Sequence, residues 1–318
     1  MIVRDRPRPD PLLPVSSPDG PRVSVVMPVF NSARYVGAAA ASVLAQTFRA
    51  FELIAVNDGS TDQSLGILQR LARADARLRI ISRPHTGNYG ARNDGLAAAR
   101  ADLVACMDAD DLAYPQRLEE QVHAMEARPD LVALGAAVRL IDPDGIDLGP
   151  ERPPTDHDAI EQRLLHGDGS AIRQPVAMVR RAAVQAVGGY RREYSSSEDL
   201  HLFLRLAEVG KLANLSHVLL DYRQHLASVN RTHHAQQLRR REAIAAEECR
   251  RRFGADALAP EVIPWVQPSA RESLLQWGWA ALRQKRPRIA LLRGFQAMGH
   301  GGPSWEALRM IACAIRAH

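Results

Sequence analysis

The sequence predicts an α/β protein: a mostly parallel sheet flanked by helices, with a helical extension at its C-terminal end. Three observations carry that expectation. Short apolar runs alternate with helix-length stretches through the first hundred residues, the spacing of βαβ units with right-handed crossovers. One run, Val104-Ala-Cys-Met107, passes straight into Asp108-Ala-Asp-Asp111. A strand interior cannot hold unpaired charge cheaply, so those acids mark the carboxyl edge of the sheet, where ligands bind in open α/β folds. Beyond residue 230 the pattern is helical, broken only by Pro260, Pro264, Pro268, Pro287 and Pro303.

The elements follow in order. Residues 1–21 are rich in Pro, Asp and Arg without apolar periodicity and read as a mobile lead-in. Arg22–Asn31 is a buried strand closed by a turn residue, 33–46 an alanine-rich helix, and Phe51–Asn57 a second strand with Asp58–Asp62 as its turn. A helix capped by Ser60 or Thr61 covers 62–74, a third strand 78–82, a glycine-containing loop 85–90, a helix 91–100 and a fourth strand 102–107. The second half offers a helix at 115–127, strands at 131–135 and 138–141, a turn at Pro143-Asp-Gly145, a polar loop at 149–156 and a helix at 157–166. A strand at 175–181, a short helix at 182–187, an amphipathic helix from Glu198 to Ala207 and a last strand at 217–223 complete it. Helices are expected at 234–252, 270–284, 287–298 and 303–316. The boundaries are therefore 22–229 for the sheet domain, in two parts at 22–114 and 115–229, and 230–318 for the extension.

Composition narrows the function classes. The 318 residues are 46% hydrophobic and 24% charged, ordinary for a globular protein, and aromatics at 5% are too few for a stacking-based single-strand nucleic-acid binder. Nucleic acid is not an expected partner. Cys106, Cys249 and Cys313 are far apart and in no metal-ligand spacing, as befits reduced structural thiols. The opening Met1-Ile-Val-Arg-Asp-Arg-Pro lacks an apolar signal core, and no run is long enough to span a bilayer. The expected location is the cytoplasm, with peripheral contact at the inner face of the membrane in view. That contact is suggested by charge: residues 230–318 carry 15 Lys/Arg and 7 Asp/Glu, a net of +8, against −3 for the first 229. Trp277 and Trp279, followed by the arginines at 283–293, suit an interfacial helix, as they equally suit packing on the catalytic domain or a homodimer contact.

Asp108, Asp110 and Asp111 repel one another unless a cation joins them, and hard divalent ions take oxygen ligands often shared with substrate phosphates. Neither G-x-G-x-x-G after the first strand nor G-x-x-x-x-G-K-[ST] is present. A metal, in place of a glycine-rich loop, would then hold a nucleotide diphosphate; the same acids read equally as a polar turn that caps the next helix.

An ordered set of short stretches resembles the inverting nucleotide-sugar glycosyltransferases of family 2, which have the GT-A fold. The stretches are Val23-Ser-Val-Val-Met-Pro-Val-Phe-Asn31, Ser42-Val-Leu-Ala-Gln-Thr-Phe48, Asn57-Asp-Gly-Ser-Thr-Asp62, Ala91-Arg-Asn-Asp-Gly95, Met107-Asp-Ala-Asp-Asp111, Glu198-Asp199 and Tyr222-Arg-Gln-His225. They cover about residues 22–229; the extension lies outside them.

The resemblance implies that Pro28, Phe30 and Asn31 line a nucleoside pocket and that Asp58 accepts a base N–H, favouring a UDP- or dTDP-type donor. It implies Arg92 as a donor beside the nucleotide, Asp108 facing ribose and metal, and Asp110 and His225 at Mn²⁺ or Mg²⁺. Asp199, with Glu198 beside it, is the implied general base. Asn57 stands where many relatives have Asp, and His85-Thr-Gly87 replaces a more usual Asn-x-Gly. The Gln-x-x-Arg-Trp motif of processive synthases is absent, so transfer of one sugar to a saccharide or lipid-linked acceptor in cell-surface polysaccharide synthesis is expected. Two rivals are a sugar-1-phosphate nucleotidyltransferase and a non-catalytic nucleotide-sugar-binding module. The first wants a glycine-rich basic loop that Val29–Ala33 does not supply.

Overall fold

The computed structural model describes residues 20–226, 234–257, 261–262 and 268–317, so nearly all of the expected lead-in lies outside the described residues. Strands β1 (Val23–Val29), β2 (Phe51–Asp58), β3 (Leu78–Arg83) and β4 (Leu103–Cys106) alternate with helices α1 (Val36–Leu44), α2 (Ser64–Ala74) and α3 (Asn88–Ala98). The four strands pair in parallel in the order β3-β2-β1-β4. Both β1 and β2 are buried along their whole length, which explains why they read as continuous apolar runs and not as alternating ones. Gly95 lets α3 settle on β1, since a Cβ there would lie 2.3 Å from Val26 Cγ1.

The remaining elements of the sheet domain are β5 (Leu112–Ala113), α4 (Arg117–Ala127), β6 (Leu131–Ile141), β7 (Asp147–Glu151), α5 (His157–Leu165), β8 (Met178–Arg180), α6 (Arg181–Ala186), α7 (Glu198–Val209) and β9 (Lys211–Arg223). All nine strands form one sheet, continuing from β4 through β8, β6 and β9 to β5, with β7 on β6. The α/β class holds, and its parallel character is concentrated in the first four strands and the β6–β9 pair. β8, β7 and β5 run antiparallel to their neighbours. For β7 the cause is local: a tight turn closed by Asp142 N to Ile146 O, at 2.9 Å, returns the chain beside β6.

Several boundaries differ from expectation: the strand at 175–181 shortens to 178–180, the helix at 91–100 begins at Asn88, and β5 is an added strand. The two strands at 131–135 and 138–141 are one, because Gly135 leaves room for the Asn214 side chain of β9, whose Oδ1 would meet a Cβ at 2.1 Å. Part of the polar loop at 149–156 is β7, and β9 begins at Lys211 instead of 217.

The extension contributes α8 (His234–Phe253), α9 (Ala270–Arg283), α10 (Pro287–Gly299) and α11 (Trp305–Arg316). Helix α8 is tied to the sheet domain through its basic residues: Arg252 donates to Glu161 of α5 and to the Leu204 carbonyl of α7, and Arg251 pairs with Glu208. Leu274, Leu275, Trp277, Ala297, Ala307 and Met310 make a separate apolar cluster for α9–α11, joined by Leu148 and Leu226. Trp277 is 2% exposed and Trp279 packs on the same cluster. These two tryptophans therefore face inward, and the interfacial-helix reading does not hold at their positions.

At the amino edge of the parallel strands, Glu52 is a buried carboxylate that joins three strands. It accepts from Ser24 Oγ (2.8 Å), Arg79 Nη1 (2.6 Å), Arg100 N (2.9 Å) and Arg100 Nε (3.0 Å). Burial works to raise its pKa, yet the donors together hold it below the usual value of 4.5. A depressed folded pKa means stability that is present above the unfolded pKa and lost as pH falls through the folded one. Glu52→Gln is expected to cost about 1–3 kcal/mol at neutral pH. It should also flatten the acid limb of the stability curve, read as Tm between about pH 7 and pH 3.

Candidate active site at the carboxyl edge of the sheet

Strand β4 ends at Cys106, and the three acids follow as the chain leaves the sheet. Asp110 Oδ2 lies 3.0 Å from His225 Nε2, which brings together residues 115 positions apart. Arg223, at the end of β9, fixes this turn from behind. Its backbone N–H donates to Asp111 Oδ1 (2.8 Å), its Nε to the Asp110 carbonyl (2.7 Å), and its Nη1 to the Asp142 carbonyl (3.1 Å). Tyr35 lies under the Arg223 guanidinium at 4.7 Å and stacks near His225 at 6.3 Å. Nothing in the sequence singles out Tyr35, and Arg223 is marked only by its place in the Tyr222-Arg-Gln-His225 stretch, with no role attached.

Arg92, near the start of α3, joins the acids of β4 to those of α7. Its Nη1 donates to Glu198 Oε1 at 3.0 Å and its Nη2 to Asp108 Oδ1 at 3.2 Å. Burial disfavours the arginine charge, but the Asp108 and Glu198 carboxylates outweigh it and hold the pKa above the ordinary value. Glu198 is 5% exposed, and burial raises its pKa against the opposing Arg92 charge. Asp199 is half-buried and uses Oδ1 to accept from the Leu200 N–H at 2.9 Å. The two acids of α7 are thus unequal: Glu198 turns inward to a partner, and Asp199 stands more open. Both guanidinium ends of Arg92 are engaged with protein carboxylates.

A second group gathers at the ends of β1 and β2. Asp58 is buried, and Thr86 N (3.1 Å) and Gly87 N (2.8 Å) donate to its carboxylate, with His85 Nδ1 2.9 Å away. The loop needs only backbone N–H groups at 86 and 87, which is why His85-Thr-Gly serves. Gly59 has φ +73, and a Cβ there would meet His85 N at 2.8 Å. His85 stacks on the exposed ring of Phe30, centroids 4.0 Å apart. Asn31, at φ +46, accepts from Thr61 N at 2.8 Å and so clamps the two turns together. Asn57 is likewise internal to its turn, accepting from Ser60 N at 3.3 Å. Pro28 departs from expectation. It is buried within β1 beside Arg92, Cys106 and Tyr190, lining a small internal cavity, because β1 is covered on both faces along its whole length and the chain becomes exposed only at Phe30, past the strand's end.

The acids suit a divalent cation on their own terms. Asp111 is 1% exposed, and its Oδ2 lacks a hydrogen-bond partner among the described residues. Its pKa is pushed well up by burial and then by Asp110 and Asp108. Burial also raises Asp108, with Arg92 opposing and Asp110 adding. Carboxylate oxygens and one imidazole form a donor set that Mn²⁺ or Mg²⁺ accepts. Among the described residues no three His, Cys, Asp or Glu converge to hold a metal alone, so an ion here needs substrate oxygens or water to fill its shell.

The family model described as Glycosyl transferase family 2 matches residues 24–188. An uncharacterized glycosyltransferase of Haemophilus influenzae is 30% identical over 214 residues, 64% of this chain and 66% of that protein. Among solved structures, S. aureus TarS 1–349 in complex with UDP-GlcNAc superposes with TM-score 0.55 at 18% identity, covering 93% of this chain and 89% of that one. The mannosyltransferase PcManGT from Pyrobaculum calidifontis, in complex with GDP-Man and Mn²⁺, gives 0.54 at 18% identity over 94% and 86%. At such identities the structures share the fold.

Removing the Arg92 charge leaves the buried Glu198 carboxylate and the part-exposed Asp108 carboxylate without their shared cation. Arg92→Met is expected to cost about 3–5 kcal/mol of stability, the range for breaking a buried ion pair from one side. Adding Glu198→Gln should restore part of that loss. A double-mutant cycle by denaturant unfolding reads the coupling, and strictly additive costs would remove the bridge from the account.

Proposed function

We infer that this chain, which belongs to glycosyl transferase family 2 and is a glycosyltransferase, moves one sugar from a nucleoside-diphosphate sugar to a hydroxyl of a saccharide or lipid-linked acceptor. The anomeric centre inverts. One observation carries the reading: Asp108 and Asp110 from the end of β4, Glu198 and Asp199 from the start of α7, and His225 after β9 meet at one edge of the sheet. Arg92 bridges two of these sources.

The donor's diphosphate is assigned to the Asp108–Asp110 side, where Mn²⁺ or Mg²⁺ would be held by Asp110 and His225 with Asp108 adjacent. The ion would supply charge stabilisation for the departing nucleoside diphosphate. The nucleoside is assigned to the turn of Phe30, Asn31 and His85. There the Phe30 ring offers a face for the base, and Asp58 orders the loop that carries His85. A UDP- or dTDP-type donor suits an acceptor oxygen at Asp58, which a base N–H would share with Thr86 and Gly87.

Asp199 takes the proton of the acceptor hydroxyl. Glu198 is a positioning residue: held by Arg92, it fixes the first turn of α7 and so the direction of its neighbour. A general base must lie within hydrogen-bond reach of the proton it removes, and of the two acids Glu198 is buried and paired with Arg92 whereas Asp199 is more open and unpaired with it. Direct displacement from the face opposite the leaving group accounts for inversion.

Two substitutions separate binding from chemistry. Asp110→Ala is expected to abolish Mn²⁺-dependent binding of a nucleotide sugar in calorimetry, and binding of undiminished affinity would remove the metal role. Asp199→Asn should keep donor affinity within about twofold while transfer falls by about 10²–10⁴, the range for losing a general base. Wild-type turnover in that variant would place the base elsewhere.

A further inference from the structure

We propose that the outward faces of α10 and α11 form a docking surface for an anionic phospholipid bilayer, so that the acceptor is met at a membrane. The inference rests on the glycosyltransferase reading for the acceptor and on the surface itself for the docking. Seven large apolar side chains are exposed among the described residues, and five of them lie on these two helices: Leu292, Phe295, Trp305, Leu308 and Ile315, from 48% to 79% exposed. Ala290, Arg293, Gly294 and Ala297 of α10 face inward, which places Leu292 and Phe295 on the opposite side at a helical period of 3.6. Ala307, Met310, Ile311 and Ala314 do the same for α11. The two helices pack closely, since a Cβ on Gly294 would come 2.5 Å from Ile311 Cγ1. Their apolar residues therefore belong to one layer and not to scattered positions.

Charge selects the occupant. From residue 283 to 317 the chain holds seven Lys/Arg and one acid, Glu306. Of the seven, Arg293 is turned inward; Arg283, Lys285, Arg286, Arg288, Arg309 and Arg316 are exposed. Leucine, isoleucine and aromatic side chains ringed by arginine are the composition of a helix that lies in the headgroup region, burying its apolar side and pairing its basic side with lipid phosphate. A second copy of the same face would set those cations against each other. A nucleic acid would leave Leu292 and Ile315 without a use. No helix among the described residues is long and apolar enough to cross a membrane.

The surface is close to the chemistry. On the inner side of α10, Arg293 Nη2 donates to Asp142 Oδ2 at 2.7 Å and also pairs with Asp144. Arg223, which holds the Asp110 carbonyl, donates to the Asp142 carbonyl. One helix, about 10 Å across, and the 142–144 turn thus separate the docking face from the acid cluster. An acceptor carried on a lipid at that face needs little reach to present its sugar.

Full-length protein is mixed with vesicles of phosphatidylglycerol and phosphatidylcholine, and with phosphatidylcholine alone, and pelleted. The expected result is binding to the anionic vesicles at least tenfold tighter than to neutral ones and weaker as salt is raised. Leu292→Ser/Phe295→Ser and Trp305→Ser/Leu308→Ser should each lower it at least tenfold. Unchanged partitioning of both double variants overturns the proposal. So does a lipid-free dimer that the same variants dissolve in sedimentation velocity, or equal binding to both vesicle types. Nucleotide-sugar calorimetry on the same samples keeps the two readings apart: intact donor binding with no vesicle binding defeats the docking surface alone, and the reverse defeats the transferase reading alone.

Discussion

A buried guanidinium between two carboxylates organises this molecule's candidate site. Arg92 contacts Asp108 at 3.2 Å and Glu198 at 3.0 Å, which ties the turn after β4 to the first turn of α7. Burying the Arg92 and Glu198 charges is expensive, and such an arrangement persists where each member satisfies the others. Its effect is geometric. Glu198 is withdrawn from solvent by the pairing, while Asp108, Asp110 and Asp199 keep part of their surface open at fixed places.

The same logic recurs one layer back. Arg223 uses its backbone N–H and two of its side-chain nitrogens on Asp111, the Asp110 carbonyl and the 142–143 turn. Arg293 then joins that turn to the helical extension. The extension is thereby coupled to the acid cluster through two arginines, and not merely packed against the sheet. This gives the region outside the family resemblance a physical connection to the chemistry.

Much of this was legible in the sequence because the signals were local. Apolar runs gave the four parallel strands, and charges at the end of Val104–Met107 marked the edge where β4 emerges. Pairings between distant residues were not legible. Nothing local distinguishes Arg92 from a surface arginine until Glu198, 106 positions later, folds against it. Glycine and alanine at 135–137 read as an interruption of a strand, although Asn214 fills the space they leave. The inward turn of Pro28 was hidden because a strand buried on both faces carries no alternation to count. Tryptophan next to arginine suggested an interface at Trp277, whereas the apolar residues left uncovered lie on the following two helices.

The Glu52 cluster sits at the opposite end of the same strands from the acids, with Ser24, Arg79 and Arg100 as its donors. Distant sites with no shared partner contribute independently. Changes to stability made at the Glu52 end are therefore separable from the candidate site at the other end of the scaffold. An engineer seeking a heat-tolerant form has a region to redesign where catalytic geometry is out of reach of the changes.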